Sequence, residues 1–202
     1  MPRVAGQIDR TKNEAILDAA SDVLFERGLA APLDEIARRA GVSKQTIYNH
    51  YGSKAELVRA LIARRVEQVT AALEVAGADG GPEIALAAYA RRLLATIGME
   101  RGLALFRLLI QSAPGAPEMA KAVFETGMRS GRRKLAEYLA REARAGRLGI
   151  ADPDEAAAFF SGMVVSHRQV QGLLGVPLEL TPEHIDHIAA EATRRFLRAY
   201  AP

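Results

Sequence analysis

The chemistry of this chain concentrates in the run Ser43-Lys-Gln-Thr-Ile-Tyr-Asn-His-Tyr-Gly-Ser-Lys54. Lys44, Gln45, Thr46, Tyr48, Asn49 and His50 each carry a donor, an acceptor or both. With Ile47 and Tyr51 turned inward, Lys44, Gln45, Tyr48 and Asn49 share the opposite face of one short helix. Amides and hydroxyls on such a face match base edges in a DNA groove, and ammonium groups match phosphate. Tyr48 and His50 can also reach the sugar-phosphate backbone. No acidic residue occurs from Ile36 to Ala55, whereas Arg38, Arg39, Lys44 and Lys54 all do. Lys54 opens the following helix, so a cation there joins a helix N-terminus, and the pair suits a phosphate. A solvated helical hairpin inside an unrelated all-α protein is the alternative. The agreement of cap, turn and face residues favours DNA.

Two helices and a tight turn must hold these groups. Leu33, Ile36, Ala37 and Ala40 recur at helical spacing, with Asp34, Glu35, Arg38 and Arg39 on the other face. Gly41 can close that helix at positive φ. Ser43 is then a natural N-cap, and Val42 with Ile47 can form a hydrophobic staple. Three positions after the cap stands Thr46, not the Glu of a capping box, and Thr does not repel phosphate. The pattern is a helix-turn-helix.

These residues resemble the TetR-type bacterial transcriptional regulators. Ile16-Leu-Asp-Ala-Ala20, Leu24-Phe25 and Gly28 carry the likeness, followed by Ile36-Ala-Arg-Arg-Ala-Gly-Val-Ser43. Thr46-Ile-Tyr-Asn-His-Tyr-Gly-Ser-Lys54 and Glu56-Leu57 complete it. The similarity is strong over roughly residues 9–66. One departure stands out: Ala31-Pro32 replaces the usual Ser or Thr pair before the second helix, and a hydroxyl contact to phosphate goes with it. Between residues 103 and 172, Pro117-Glu-Met-Ala, Phe124-Glu-Thr-Gly, Gly146-Arg-Leu and Asp152-Pro-Asp-Glu-Ala-Ala look like the AefR-like C-terminal type within that family. The resemblance implies a homodimer on a palindromic operator of double-stranded DNA, and an effector cavity among the helices from Lys54 to Gly175.

The remaining chain reads as helix throughout, so the expected fold is all-α: a three-helix DNA-binding domain and a C-terminal bundle for ligand binding and dimerisation. Residues 1–10 look like a loose arm. Thr11-Lys-Asn-Glu14 is a capping box that opens a first helix ending at Gly28. The DNA-binding domain is expected over 11–56, with a long helix from Lys54 continuing to about residue 76. Gly77-Ala-Asp-Gly-Gly-Pro82 is the clearest linker, and the C-terminal domain is expected over 77–202. Within it the periodicity predicts helices over about 83–97 and 118–145, over 153–175 after Asp152, and from Thr181 onward. Leu103 to Ile110 is apolar nearly all round, which predicts a helix surrounded by protein. The last helix carries Ile185, Ile188, Ala189, Ala192, Phe196 and Tyr200 on one stripe. Packing of the 153–175 helix and this last helix against a second copy is the expected dimer contact.

The chain has 202 residues, a formal net charge of +3 and no cysteine. Disulfides, thiol catalysis and cysteine metal sites are excluded. No run approaches the length of a membrane span and residues 1–10 lack the apolar core of a signal peptide, so a cytoplasmic protein is expected. No phosphate loop, dinucleotide fingerprint or nucleophile elbow is present, and the expectation is a non-enzyme without cofactor. His184 and His187 lie one turn apart, but a solvated face outweighs a metal site, which needs three converging ligands. His167, in an apolar run, could meet a ligand or be a buried, hydrogen-bonded residue. The basic run Arg129, Arg132, Arg133 and Lys134 reads as a solvated or dimer-edge face. An effector lining is expected from Leu105, Phe106, Leu109, Phe124, Met128 and Met163, with a polar anchor among Tyr89, Gln111, His167 and Gln171. The reading is a repressor released by a small, mostly apolar effector; the alternative is an architectural or adaptor DNA-binding protein without one.

Overall fold

The computed structural model describes residues 5–75 and 81–202, and every element among them is helical. The chain divides into two compact units, residues 1–63 with 104–123 and residues 64–103 with 124–202.

The first unit holds α1 (Ala5–Arg27), α2 (Leu33–Ala40), α3 (Lys44–Tyr51), the beginning of α4 (Lys54–Thr70), most of α7 (Glu100–Ser112) and most of α8 (Pro117–Phe124). Its core is Ile16, Ala20, Val23 and Leu24 of α1, Ile36 of α2, Ile47 of α3 and Leu57 and Leu61 of α4, all almost fully buried. Leu105, Leu109 and Val123 join this cluster, so the stretch 104–123 packs with the helix-turn-helix and not with the C-terminal bundle. The apolar run at 103–110 is not enclosed as its composition suggests. Leu105 and Leu109 are buried, but Ile110 is exposed, because a helix on the rim of a core buries one stripe only.

The loose arm expected over 1–10 is helical from Ala5, and residues 1–4 lie outside the described residues. Once the helix continues upstream, Thr11 is an interior residue and cannot cap.

The second unit holds the remainder of α4, then α5 (Ala72–Val75), α6 (Gly81–Gly98), α9 (Ser130–Arg144), α10 (Pro153–Val165), α11 (Arg168–Leu173) and α12 (Pro182–Ala199). Linker residues 76–80 lie outside the described residues, while Gly81 and Pro82 already belong to α6. Aromatic rings thread the core: Tyr89 to Phe160 at 6.2 Å, Phe160 to Phe196 at 5.0 Å, Phe196 to Tyr200 at 4.6 Å. Asp152 caps α10 by accepting from the backbone N–H of Asp154 and Glu155, and Thr181 caps α12 through His184 N–H.

Three helices that read as continuous are interrupted. At Thr70 the side-chain hydroxyl donates to the carbonyl of Val66 (2.9 Å), a local competition that strains a helix, and α4 ends there. Between α8 and α9 the turn Glu125–Arg129 is π-helical, with Gly127 at its centre. The expected 153–175 helix breaks at Ser166, the only non-glycine residue at positive φ (49°) among the described residues. β-Branched Val164 and Val165 followed by Ser form a weak helix end.

The stripe of the last helix is spent inside its own unit. Ile188, Ala189, Ala192 and Phe196 are buried against α6 and α10, with Phe196 wholly inaccessible. Among the large apolar residues left exposed are Phe159 and Met163 on α10, with Gly162 open beside them.

Candidate nucleic-acid interface

α2 and α3 form as their local residues require. Pro32 precedes α2 in an extended conformation at the N-cap and makes no side-chain capping bond. Gly41 closes α2 in the left-handed region (φ 67°), and Val42 N–H returns to the carbonyl of Ala37 at 3.0 Å. Ser43, extended, accepts from the Thr46 N–H at 3.0 Å, and the two hydroxyls lie 2.8 Å apart. Ile47 is driven into the core, 1% exposed, and fixes the rotation of α3. Its burial leaves Lys44, Gln45, Tyr48, Asn49 and His50 exposed and Thr46 half-buried. The first turn of α3 carries no acidic residue, so its N-terminal dipole is uncancelled. Tyr51 turns inward and its hydroxyl donates to Asn13 Oδ1, tying α3 to α1. Asn13 had no role in the sequence pattern; only the pairing of two distant helices reveals one.

Lys44, Gln45 and Asn49 on this face already have partners. Gln45 Nε2 donates to Asn49 Oδ1 at 2.7 Å, one turn along the helix. Lys44 Nζ donates to Asp34 Oδ2 at 2.8 Å, and this pair together with its Coulombic attraction raises the ammonium pKa. Arg39 forms a two-bond fork with Glu26, at 2.6 and 2.7 Å. Arg38 stands 4.0 Å from Glu35, which Arg27 approaches at 3.1 Å. Absence of acids between Ile36 and Ala55 therefore overstates the free positive charge, because Glu26, Asp34 and Glu35 fold back onto the cations. Exposed, solvent-screened pairs of this kind are weak, so a phosphate can displace them.

Lys54 has partners within the protein. Its ammonium is half-buried and donates to the carbonyls of Leu29 and Ala31 in the α1–α2 connection. Burial lowers its pKa. Two of its three donors are thus engaged within the protein.

The ten residues expected around an effector do not gather in one unit. Leu105, Phe106, Leu109 and Gln111 belong to the first: Leu105 and Leu109 are core, Phe106 half-buried and Gln111 exposed. Tyr89, Phe124, Met128, Met163, His167 and Gln171 belong to the second. Tyr89 is buried, and that burial pushes its hydroxyl pKa up to about 12, against a bond to Ser161. Phe124, Met128 and Met163 are all exposed in the single chain. His167 is neither buried nor within a helix run; it is exposed just after the α10 break, with Nδ1 3.2 Å from Ser166 Oγ. Gln171 donates to the carbonyl of Pro177 at 2.8 Å. His184 Nδ1 is 2.5 Å from the carbonyl of Glu179. No cluster of three metal-ligating side chains occurs among the described residues. The basic run pairs with its surroundings: Arg129 with Glu125 at 2.8 Å, Arg133 with Glu137 at 3.8 Å, and Lys134 with Glu67. No described helix is long and apolar enough to cross a membrane.

Residues 16–61 match the model for bacterial regulatory proteins of the tetR family, and residues 84–202 match the AefR-like transcriptional repressor C-terminal domain. Among curated proteins, the HTH-type transcriptional activator FasR of Mycolicibacterium smegmatis is 47% identical over 62 residues, 30% of this chain and 28% of that protein. The HTH-type transcriptional repressor LfrR of the same organism is 43% identical over 79 residues, 39% of this chain and 40% of that protein. Both matches span well under two thirds of those relatives. Solved structures align over nearly the whole chain. A TetR-family regulator from Mesorhizobium loti gives a TM-score of 0.78 at 26% identity, covering 95% of this chain and 97% of that one. The flavonoid-responsive regulator FrrA gives 0.69 at 32%, with the same coverage.

Proposed function

From the premise that this chain belongs to the TetR family of bacterial regulatory proteins, with an AefR-like C-terminal domain, we propose that it is a sequence-specific DNA-binding transcriptional regulator acting as a repressor. The observation that carries this is the face of α3, where burial of Ile47 presents Lys44, Gln45, Tyr48 and Asn49 outward from a capped, acid-free N-terminus. On DNA, Gln45 and Asn49 exchange their mutual bond for base edges. Lys44 leaves Asp34 for phosphate or a guanine edge, and Thr46, Tyr48 and His50 contact groove wall and backbone. Lys54 serves as a positioning residue that locks the α1–α2 connection behind α3.

One α3 reads too few base pairs for specificity, so the active form is a two-fold dimer on a palindromic operator with half-sites about 34–36 Å apart or a multiple of that. The α10 surface at Phe159, Gly162 and Met163 fits the contact, with the outward face of α12 beside it. This replaces the buried Phe196 stripe as the interface. Helix α4 belongs to both units, and ligand binding in the second unit is read as a shift of α4 that alters the spacing of the two α3 helices. A coupling of about 1–3 kcal/mol would weaken operator binding roughly 5–150-fold. A small, mostly apolar effector suits this reading, as does the likeness to the flavonoid-responsive regulator FrrA. The architectural alternative predicts an operator affinity that no small molecule changes.

The test is binding of the full chain to DNA selected from a random duplex pool. Recovery of a palindromic consensus is the expected result. Replacing Gln45 with Ala should then cost roughly 1–3 kcal/mol on that site and relax the preference at one base position per half-site. Unchanged affinity and preference in Gln45→Ala would remove the assignment of that side chain to base reading.

A further inference from the structure

Arg65, in the second unit, is the anomaly. Most other cations described above have a carboxylate or carbonyl partner, but Arg65 is half-buried and makes no hydrogen bond or ion pair among the described residues. Burial and the adjacent Arg64 both lower its pKa, which marks a cationic spot lacking an anion. A half-buried guanidinium with nothing to neutralise it is costly, and proteins ordinarily pair such groups.

The surroundings are shaped to admit it. Gly98 ends α6 and Gly102 lies in the first turn of α7, four residues on. A Cβ at Gly102 would stand 3.0 Å from Nη1 of Arg65 and 3.1 Å from the carbonyl oxygen of Thr96. A Cβ at Gly98 would stand 3.0 Å from Cδ1 of Leu180. Absence of a side chain at both glycines thus lets a guanidinium and an apolar side chain approach the same helix corner. Leu103, next along α7, packs against Gly172 and extends the apolar surroundings.

We infer that the α6–α7 corner is an anion-binding subsite, in which Arg65 takes the carboxylate of a ligand whose apolar body lies along Leu103 and Leu180. The guanidinium fork matches a carboxylate by two parallel N–H···O bonds. This deepens the ligand-responsive reading and rests on it: the effector is an apolar acid, not a neutral molecule.

The full-length protein is titrated calorimetrically with decanoate and, as the neutral counterpart, decanamide. Decanoate should bind at least about tenfold more tightly, the scale of hydrogen bonds to a charged group. The preference should vanish in Arg65→Met, survive in part in Arg65→Lys, and shrink in Gly102→Ala, whose methyl displaces the guanidinium while keeping its charge. Absence of decanoate binding, equal affinity for both compounds, or an undiminished preference in Arg65→Met would each overturn the inference. Operator affinity is measured separately in each case. Carboxylate binding through Arg65 with no change in operator affinity would uphold the subsite and remove the effector role; operator release by decanoate that Arg65→Met abolishes would uphold both.

Discussion

Replacing Lys54 with Met separates two roles that the position could have. In the structure its ammonium bonds the carbonyls of Leu29 and Ala31. Hydrogen bonds to a charged donor contribute about 1.5–3 kcal/mol each. Ordering a lysine side chain costs roughly 1.5–2 kcal/mol, and half-exposure weakens both bonds further by solvent screening. The net contribution is about 1–3 kcal/mol, and for a unit of this size each kcal/mol moves the melting temperature by about 4–8 °C. The variant should therefore melt at least about 4 °C lower. Its operator affinity should fall as the α1–α2 connection loosens behind α3, yet the slope of log affinity against log salt should stay that of the wild type. A true phosphate contact releases counterions, and its loss would lower that slope by about 0.9. Fluorescence anisotropy on a labelled operator between low and moderate salt measures the slope, and calorimetry the stability. A slope reduced by about one with unaltered melting would refute the cradle argument and place Lys54 on phosphate.

The neighbours Phe159 and Phe160 should behave oppositely. Phe160→Ala, at a wholly buried position, should cost about 3–5 kcal/mol by chemical denaturation, whereas Phe159→Asp should fold normally and sediment as a monomer; a dimeric Phe159→Asp would exclude α10 from the contact. Ser43→Ala removes the α3 cap and should cost about 1 kcal/mol, with operator affinity lowered alike on all sequences; retention of wild-type stability would show that Thr46 N–H finds another acceptor. Arg194 and then Arg195 hold the Glu191 carboxylate down to about 2. Because the folded value lies below the unfolded one, its stabilisation is complete above the ordinary carboxylate range and is lost only as pH falls towards 2. Carbonyl NMR of Glu191 through an acid titration checks this, and a midpoint near the ordinary value would mean the Arg194 fork does not persist in solution.

What the sequence determined by itself was the local geometry of the reading head. Gly41, Ser43 and Ile47 set the ends and rotation of α3 through contacts within a few residues, and interactions that short survive any tertiary arrangement. The family was legible for the same reason. Periodicity also marked nearly every helix, because an apolar stripe at 3.6-residue spacing is a property of the segment alone. It could not say what would cover each stripe. Only the fold decided that Ile188, Ala192 and Phe196 are covered from within, leaving Phe159 and Met163 exposed. Only the fold brought Glu26, Asp34 and the Leu29 and Ala31 carbonyls onto cations 10 to 25 residues away. The breaks at Thr70, Glu125–Arg129 and Ser166 escape periodicity for another reason: they rest on a Thr hydroxyl, a central Gly127 and the Val164-Val165-Ser166 run, none of which alters the spacing of apolar residues. A guanidinium such as Arg65 shows the limit most plainly, since a sequence reports a charge but never whether a partner reaches it.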